Sequence, residues 1–215
     1  FNPYIGNLSL DSENLPILDL ILTKKASDGL QAAIENSFND LNYKGWPYMS
    51  SENNSWQKTK IIYKKQSYNT KVRIHGTDSI HYRNDKKSLA FKFKKNHLLD
   101  NMRRFSLLVI NEASISSIFS YRLINLLTKF KVNSYLVKLR INGINQGVFV
   151  LEEKLSKELL EKNGMSGMDI LRPNDEWDTQ YQATHETPFN WNLANTKMKE
   201  ISKKELGQLL TYDKL

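Results

Sequence analysis

The sequence predicts an α+β fold in which helices pack on an antiparallel sheet. Several short segments alternate apolar and polar residues with a period of two, as half-buried strands do. Other segments place apolar residues at helical spacing. Strands and helices follow one another without the regular repeat of a parallel sheet, and the last two long strands flank Asn142-Gly143, a common turn of antiparallel hairpins.

The first half of the chain predicts four strands and one helix. Leu15–Leu22 is short and apolar, which indicates a buried strand. Asp28–Asp40 predicts a helix because its apolar residues share one face. The other three strands are predicted at Trp56–Tyr63, Tyr68–Gly76 and Lys87–Lys94.

The second half predicts a central strand, a hairpin and further helices. Phe105–Ile110 is a nearly continuous apolar run, which is typical of a central strand. Ser116–Phe130 has helical spacing, and Tyr135–Asn142 pairs with Gly147–Glu153 as the hairpin. A helix, a strand, a long polar loop and an amphipathic helix are predicted to follow, at Leu155–Asn163, Met168–Arg172, Asp175–Asn192 and Lys197–Leu210.

Composition limits the classes of function. The 215 residues include no cysteine, which excludes disulfides and a thiol nucleophile. No apolar run reaches the roughly 18 residues that span a bilayer. The formal net charge is +8, which favours an anionic partner or, alternatively, only a soluble lysine-rich surface.

The common catalytic signatures are absent from the sequence. It contains no GxxxxGK[ST] loop, GxGxxG turn, HExxH helix or GxSxG elbow. The four histidines are scattered, which argues against a histidine metal centre.

Ala90 and Lys92 form the first candidate site. Residues two apart in a strand point the same way, so a small side chain would leave room for a flat base beside a cation for phosphate oxygens. The alternative is an ordinary strand with its lysine in water.

Glu153 and the turn Gly76–Ser79 are the other candidates. Glu153 continues the apolar stripe of its strand, and a buried carboxylate needs a cationic partner, for which the candidates are Lys92, Lys87 and Arg73. The backbone amides of Gly76–Ser79 are suited to face an anion. Alternatively, Glu153 lies in water beyond the strand end and Gly76–Ser79 is an ordinary polar turn.

These candidates occur within a longer pattern that resembles the CotH kinase family. The matching segments, between Leu15 and Pro173, are KVRIHGTDS, KKSLAFKF, VKLRINGINQGVFVLEEKL and GMDILRPN. The resemblance implies an atypical protein-kinase N-lobe that uses ATP and Mg²⁺ to phosphorylate a protein Ser/Thr hydroxyl. It implies that Lys92 or Lys87 holds the nucleotide phosphates, that Glu153 orients that lysine, and that Gly76–Ser79 covers the phosphates. A coat or surface protein as acceptor, at a bacterial cell or spore surface, is also implied.

The sequence departs from the family pattern at four places. The helix Arg of the family has no clear counterpart, since Arg122 lies near its place but out of register. His75 stands where the family has Arg, and Asp78 where it has Ser. The later Trp-Asp-x-Asp-like stretch is missing, since Trp177-Asp178 is followed by Thr and Gln. We therefore expect residues 1–175 to form the N-lobe-like domain and residues 176–215 to begin a missing C-lobe. Catalytic residues are expected downstream, in a longer product from which this chain is cut, and the chain alone is expected to be inactive.

Three other functions stay open on the sequence. A pseudokinase would bind nucleotide without transferring phosphate. A basic module would bind a polyanion through Lys58–Lys71, although no recognised nucleic-acid motif is present. A surface or coat scaffold would need no ligand, because fold resemblance alone does not establish function.

Overall fold

Seven strands of the chain close into a barrel. The computed structural model describes residues 14–41 and 45–168, together with the backbone of 171–173 and 191–193. The order around the barrel is β1-β2-β3-β4-β5-β7-β6, and all neighbours are antiparallel except β1 and β6, which are parallel. The strands are β1 (Ile17–Ile21), β2 (Gln57–Tyr63), β3 (Gln66–Ile74), β4 (Leu89–Phe93), β5 (Arg104–Val109), β6 (Ser134–Ile141) and β7 (Ile144–Glu153).

The predicted α+β fold, an antiparallel sheet with packed helices as in an atypical kinase N-lobe, is wrong. The chain instead forms a closed mixed barrel with few helices. Most strands lie where alternation predicts them, but β5 pairs with β7 rather than with β6, and β1 pairs with β6 over a long sequence separation. Local periodicity indicates which segments are strands; it does not indicate which distant strands pair, so closure was not predicted.

Alternation within each strand fills the barrel with apolar side chains. Leu18 and Leu20 of β1 and Val72 of β3 are fully buried, and the inward residues of the other strands are buried or partly buried in the same core. Phe91 and Phe105 stack with ring centroids 5.0 Å apart inside the barrel. Each strand therefore also has an outward set of side chains, two residues apart, on which a site can be built.

Two helices pack on this barrel. α1 (Lys24–Asn39) begins at Thr23, whose side chain accepts from the Ala26 N–H. Its Leu30, Ala33 and Ile34 join the barrel core. α2 (Glu112–Leu127) begins at Asn111 with a capping box and contacts β6 and β7. Its Ile118 packs with the outward Leu108 and Val150, so α2 covers only part of the outer face.

The predicted Asn142-Gly143 hairpin is confirmed and also helps to close the barrel. Both residues adopt positive φ, +50° and +83°. The Asn142 side chain accepts from the Leu22 N–H at 2.9 Å and donates to the Leu22 carbonyl at 3.0 Å. The turn therefore ties the end of β1 to β6.

A second compact unit begins at Leu155, after a first that ends at Lys154. It contains α3 (Lys157–Lys162) and a two-stranded sheet of β8 (Leu171–Pro173) and β9 (Trp191–Leu193). The end of the predicted loop Asp175–Asn192 thus belongs to a strand. The predicted helix Lys197–Leu210 lies outside the described residues.

Candidate functional site

The outward face of β3, β4 and β5 forms a shallow floor of small residues beside a cation. Arg73, Ala90 and Ser106 are directly opposed on these three strands. Ala90 is half-buried and Ser106 is fully buried, and both side chains are small. Ser106 was not predicted as a site residue, because it lies in the apolar run that indicated only a buried strand.

Arg73 is held at the edge of this floor. Its guanidinium carbon lies 4.7 Å from the centroid of the Trp56 ring, a cation–π contact. Its Nε is buried and has no hydrogen-bond partner among the described residues. Burial, and then the charge of Arg104, lowers the Arg73 pKa. The side chain therefore has a buried donor that no described residue satisfies.

Lys92 points outward beside the floor, on the same side of β4 as Ala90. Burial is the largest cause that lowers its pKa, followed by the charges of Arg104, Arg103, Lys71 and Arg73. All these charges have the same sign. Lys92 therefore lies in an electropositive field that an anionic ligand would relieve.

Glu153 lies on the other side of the sheet from Lys92. It is directly opposed to the buried Phe105, is 2% exposed, and its Oε2 accepts from the Asn133 N–H at 3.0 Å. The outward carboxylate of β7 is its neighbour Glu152, which is opposed to Ser106 and pairs with Lys154 at 2.8 Å. The outward position of Glu152 could have been predicted from the sequence. Residues 148, 150 and 152 alternate with the apolar residues 149 and 151, so they lie on the opposite side of the strand.

Lys87 and the Gly76–Ser79 turn lie outside the strands that carry the floor's small residues. Lys87 precedes β4 and donates to the Asn84 carbonyl. Ser79 is buried and donates to Asp78 at 3.5 Å, and Asp78 also accepts from the Ile80 N–H at 3.1 Å. Asp78 and Ser79 thus make hydrogen bonds within the turn, and Lys87 makes one to Asn84. The role of Lys87 and of the turn in phosphate binding stays a prediction.

A partly buried polar cluster lies next to the floor. His75 Nδ1 is 3.0 Å from Ser106 Oγ, and the His75 and His81 rings make an edge contact with centroids 4.9 Å apart. Burial lowers the His75 pKa to about 3, and the charge of Lys154 contributes. Gly76 has φ +82°, and a Cβ there would overlap the His81 ring. Both imidazoles are thus held in place, and His75 is neutral at pH 7.

Five cations form a continuous row across the outer face, here called the basic row. Four are directly opposed on neighbouring strands, and the fifth follows β7, where its N–H donates to the Arg104 carbonyl at 2.9 Å. The members, in order, are Lys58, Lys71, Lys92, Arg104 and Lys154. Sequence reasoning placed Lys92 at a phosphate site and Lys58–Lys71 in a candidate polyanion-binding segment, but did not join them, because the row exists only through strand register.

Two further findings concern metals and membranes. Among the described residues, no group of three or more His, Asp or Glu could hold a metal ion. No helix within the described ranges has the length and apolarity to cross a membrane.

A family model described as CotH kinase protein matches residues 72–212, more than half of the chain. The chain belongs to the CotH kinase protein family. Membership indicates a kinase-like function. No curated protein matches the chain.

The match to the CotH kinase family begins at Val72, within β3. It includes the floor residues Arg73, Ala90 and Ser106, together with Lys92 and Lys154. Lys58 and Lys71, the first two members of the basic row, precede it. The family match and the basic row thus overlap only in part.

Proposed function

We propose that the outward face of β3–β5 binds ATP, as the nucleotide site of a kinase that phosphorylates Ser or Thr of a protein. The observation that carries the proposal is the floor of Ala90 and Ser106 between cations, inside the segment that matches the CotH kinase family. Small side chains leave room for a flat base, and cations neutralise phosphate oxygens.

Three cations surround this floor. Arg73 offers its buried Nε, Lys92 points outward beside Ala90, and Lys154 is oriented by its ion pair with Glu152. Because Glu152 lies on the floor's face and Glu153 does not, we assign the lysine-orienting role to Glu152. ATP would supply the γ-phosphoryl group; these residues position and neutralise its phosphates.

Mg²⁺ does not fit the described residues by themselves, since they contain no acidic or histidine cluster, and no step is assigned to it. The sequence lacks the Trp-Asp-x-Asp-like stretch of the family. We therefore propose that this chain binds ATP and does not transfer its phosphate unaided.

Thermal unfolding with and without ATP, in the presence and absence of Mg²⁺, tests the proposal. A ligand bound only by the folded state at a hundred times its Kd adds about 2.7 kcal/mol of stability, enough to raise Tm by several degrees. Lys92→Ala should lose most of this rise. Lys138→Ala is the matched control, because Lys138 is also a half-buried, outward strand lysine but lies on β6.

No ATP-dependent rise in the wild-type chain would contradict the proposal. An equal loss in Lys92→Ala and Lys138→Ala would contradict the assignment of the site, since it would indicate a general effect of lysine removal.

A further inference from the structure

The basic row is longer than the proposed nucleotide floor. It crosses five strands, and neighbouring strands are about 4.8 Å apart, so it spans about 19 Å. Lys58 lies on β2, one strand beyond the floor, and Lys71 lies between Lys58 and Lys92. These two cations are therefore placed for a ligand that extends past the nucleotide.

The described residues leave the first four cations of the row without a neutralising carboxylate. Among the described residues, no carboxylate forms an ion pair with the first four cations, while Glu152 pairs with Lys154 at the far end. Like charges directly opposed on neighbouring strands destabilise a sheet. Arrangements that lower the stability of a fold, such as this row of like charges, are expected at functional surfaces.

We propose that the basic row binds an acidic segment of the acceptor protein, with Lys58 and Lys71 contacting its carboxylates beyond the nucleotide. An extended peptide laid along the row would place about six residues over its length. The assignment of this segment to the acceptor protein rests on the proposed kinase function. The affinity of the basic row for an acidic peptide does not depend on that function.

An acidic peptide fits this surface better than a nucleic acid. Proteins that bind single strands combine a basic groove with aromatic rings on which bases stack. On β2–β5, all of which the structure describes, the outward side chains include no aromatic ring. Trp56, just before β2, already lies against Arg73.

Binding of a labelled peptide of about eight glutamates, followed by fluorescence anisotropy at low ionic strength, tests the proposal. Lys58→Ala/Lys71→Ala should raise the Kd about tenfold, and added salt should weaken wild-type binding. Lys24→Ala/Lys25→Ala is the matched control, since both lysines are exposed on α1 and the formal net charge falls equally from +8 to +6. The control should change the Kd less than about twofold.

Three results would overturn the proposal. Equal losses in the two double variants would show only a net-charge effect. Tighter binding of an equally charged oligonucleotide, or of anionic lipid vesicles, would assign the surface to a different partner. If the wild-type chain shows no detectable binding of the peptide, an acidic segment is excluded as the ligand of the basic row.

The outcomes also separate this inference from the kinase proposal. Peptide binding that depends on Lys58 and Lys71 without any ATP-dependent rise in Tm would support the basic row as a peptide site and reject the nucleotide site. An ATP effect that depends on Lys92, without peptide binding, would do the reverse.

Discussion

Replacing Lys71 by Glu should stabilise the protein. Lys71 is exposed and lies directly between Lys58 and Lys92, with a cation opposite it on each side. The substitution turns two unfavourable cross-strand pairs into two favourable ones. It adds no bulk to the core, because the side chain points away from the barrel.

The expected gain is about 1 kcal/mol. A cross-strand charge pair contributes roughly 0.2–1 kcal/mol, and exposed pairs fall toward the lower end because solvent screens them. Two pairs that each change sign therefore give about 1 kcal/mol at low salt. For a protein of this size the gain corresponds to a rise in Tm of about 2–4 °C.

Urea unfolding at two salt concentrations measures this gain. The Debye length is about 30 Å at 0.01 M salt and about 3 Å at 1 M, so the gain should be present at low salt and nearly vanish at high salt. Lys60→Glu is the control, because Lys60 lies on the same outer face, on the neighbouring strand β2, but is opposed to Asn69 and Ile21. Destabilisation by Lys71→Glu, an equal effect of Lys60→Glu, or a gain that persists at high salt would refute the reasoning.

Two further predictions concern the buried cluster and the closing turn. His75 has a pKa of about 3 in the fold against about 6.5 when unfolded, so the unfolded state alone takes up its proton and stability is lost as pH falls from 6.5 toward 3. At pH 5 this loss of stability is about 2 kcal/mol. Urea unfolding at pH 7.5 and at pH 5 should show a smaller loss in His75→Gln than in the wild type. The control His97→Gln, which alters an exposed histidine, should show the same loss as the wild type. Asn142→Gly should lower the free energy of unfolding by about 1 kcal/mol in the same assay, because it removes two hydrogen bonds to Leu22. Asn142→Ala should lower it further, because φ is positive at this position. Equal losses in the two variants would contradict the role given to φ.

The strand segments were predictable because burial imposes a period of two on each of them. Val72 and Ile74 of β3, for example, alternate with Arg73 in the sequence and point to opposite sides in the structure. The same rule placed Ala90 and Lys92 together on one side of β4. It also placed Glu153 with the apolar stripe of β7, and Glu153 is indeed buried.

The architecture was not predictable in the same way. The sequence pattern predicted an antiparallel sheet with packed helices, whereas the parallel pairing of β1 with β6 closes the strands into a barrel. That pairing joins segments more than a hundred residues apart, and its stability comes from packing inside the barrel rather than from either segment.

The sequence by itself determined the strands, the side of each strand on which a residue lies, and the motifs that resemble the CotH kinase family. Only the tertiary structure decided which outward residues are neighbours. Lys58, Lys71, Lys92 and Arg104 are separated by 12 to 21 positions along the chain and become one row because the register of three strand pairs aligns them. Register depends on the packing of the whole barrel, whereas periodicity depends only on whether one strand has a buried side.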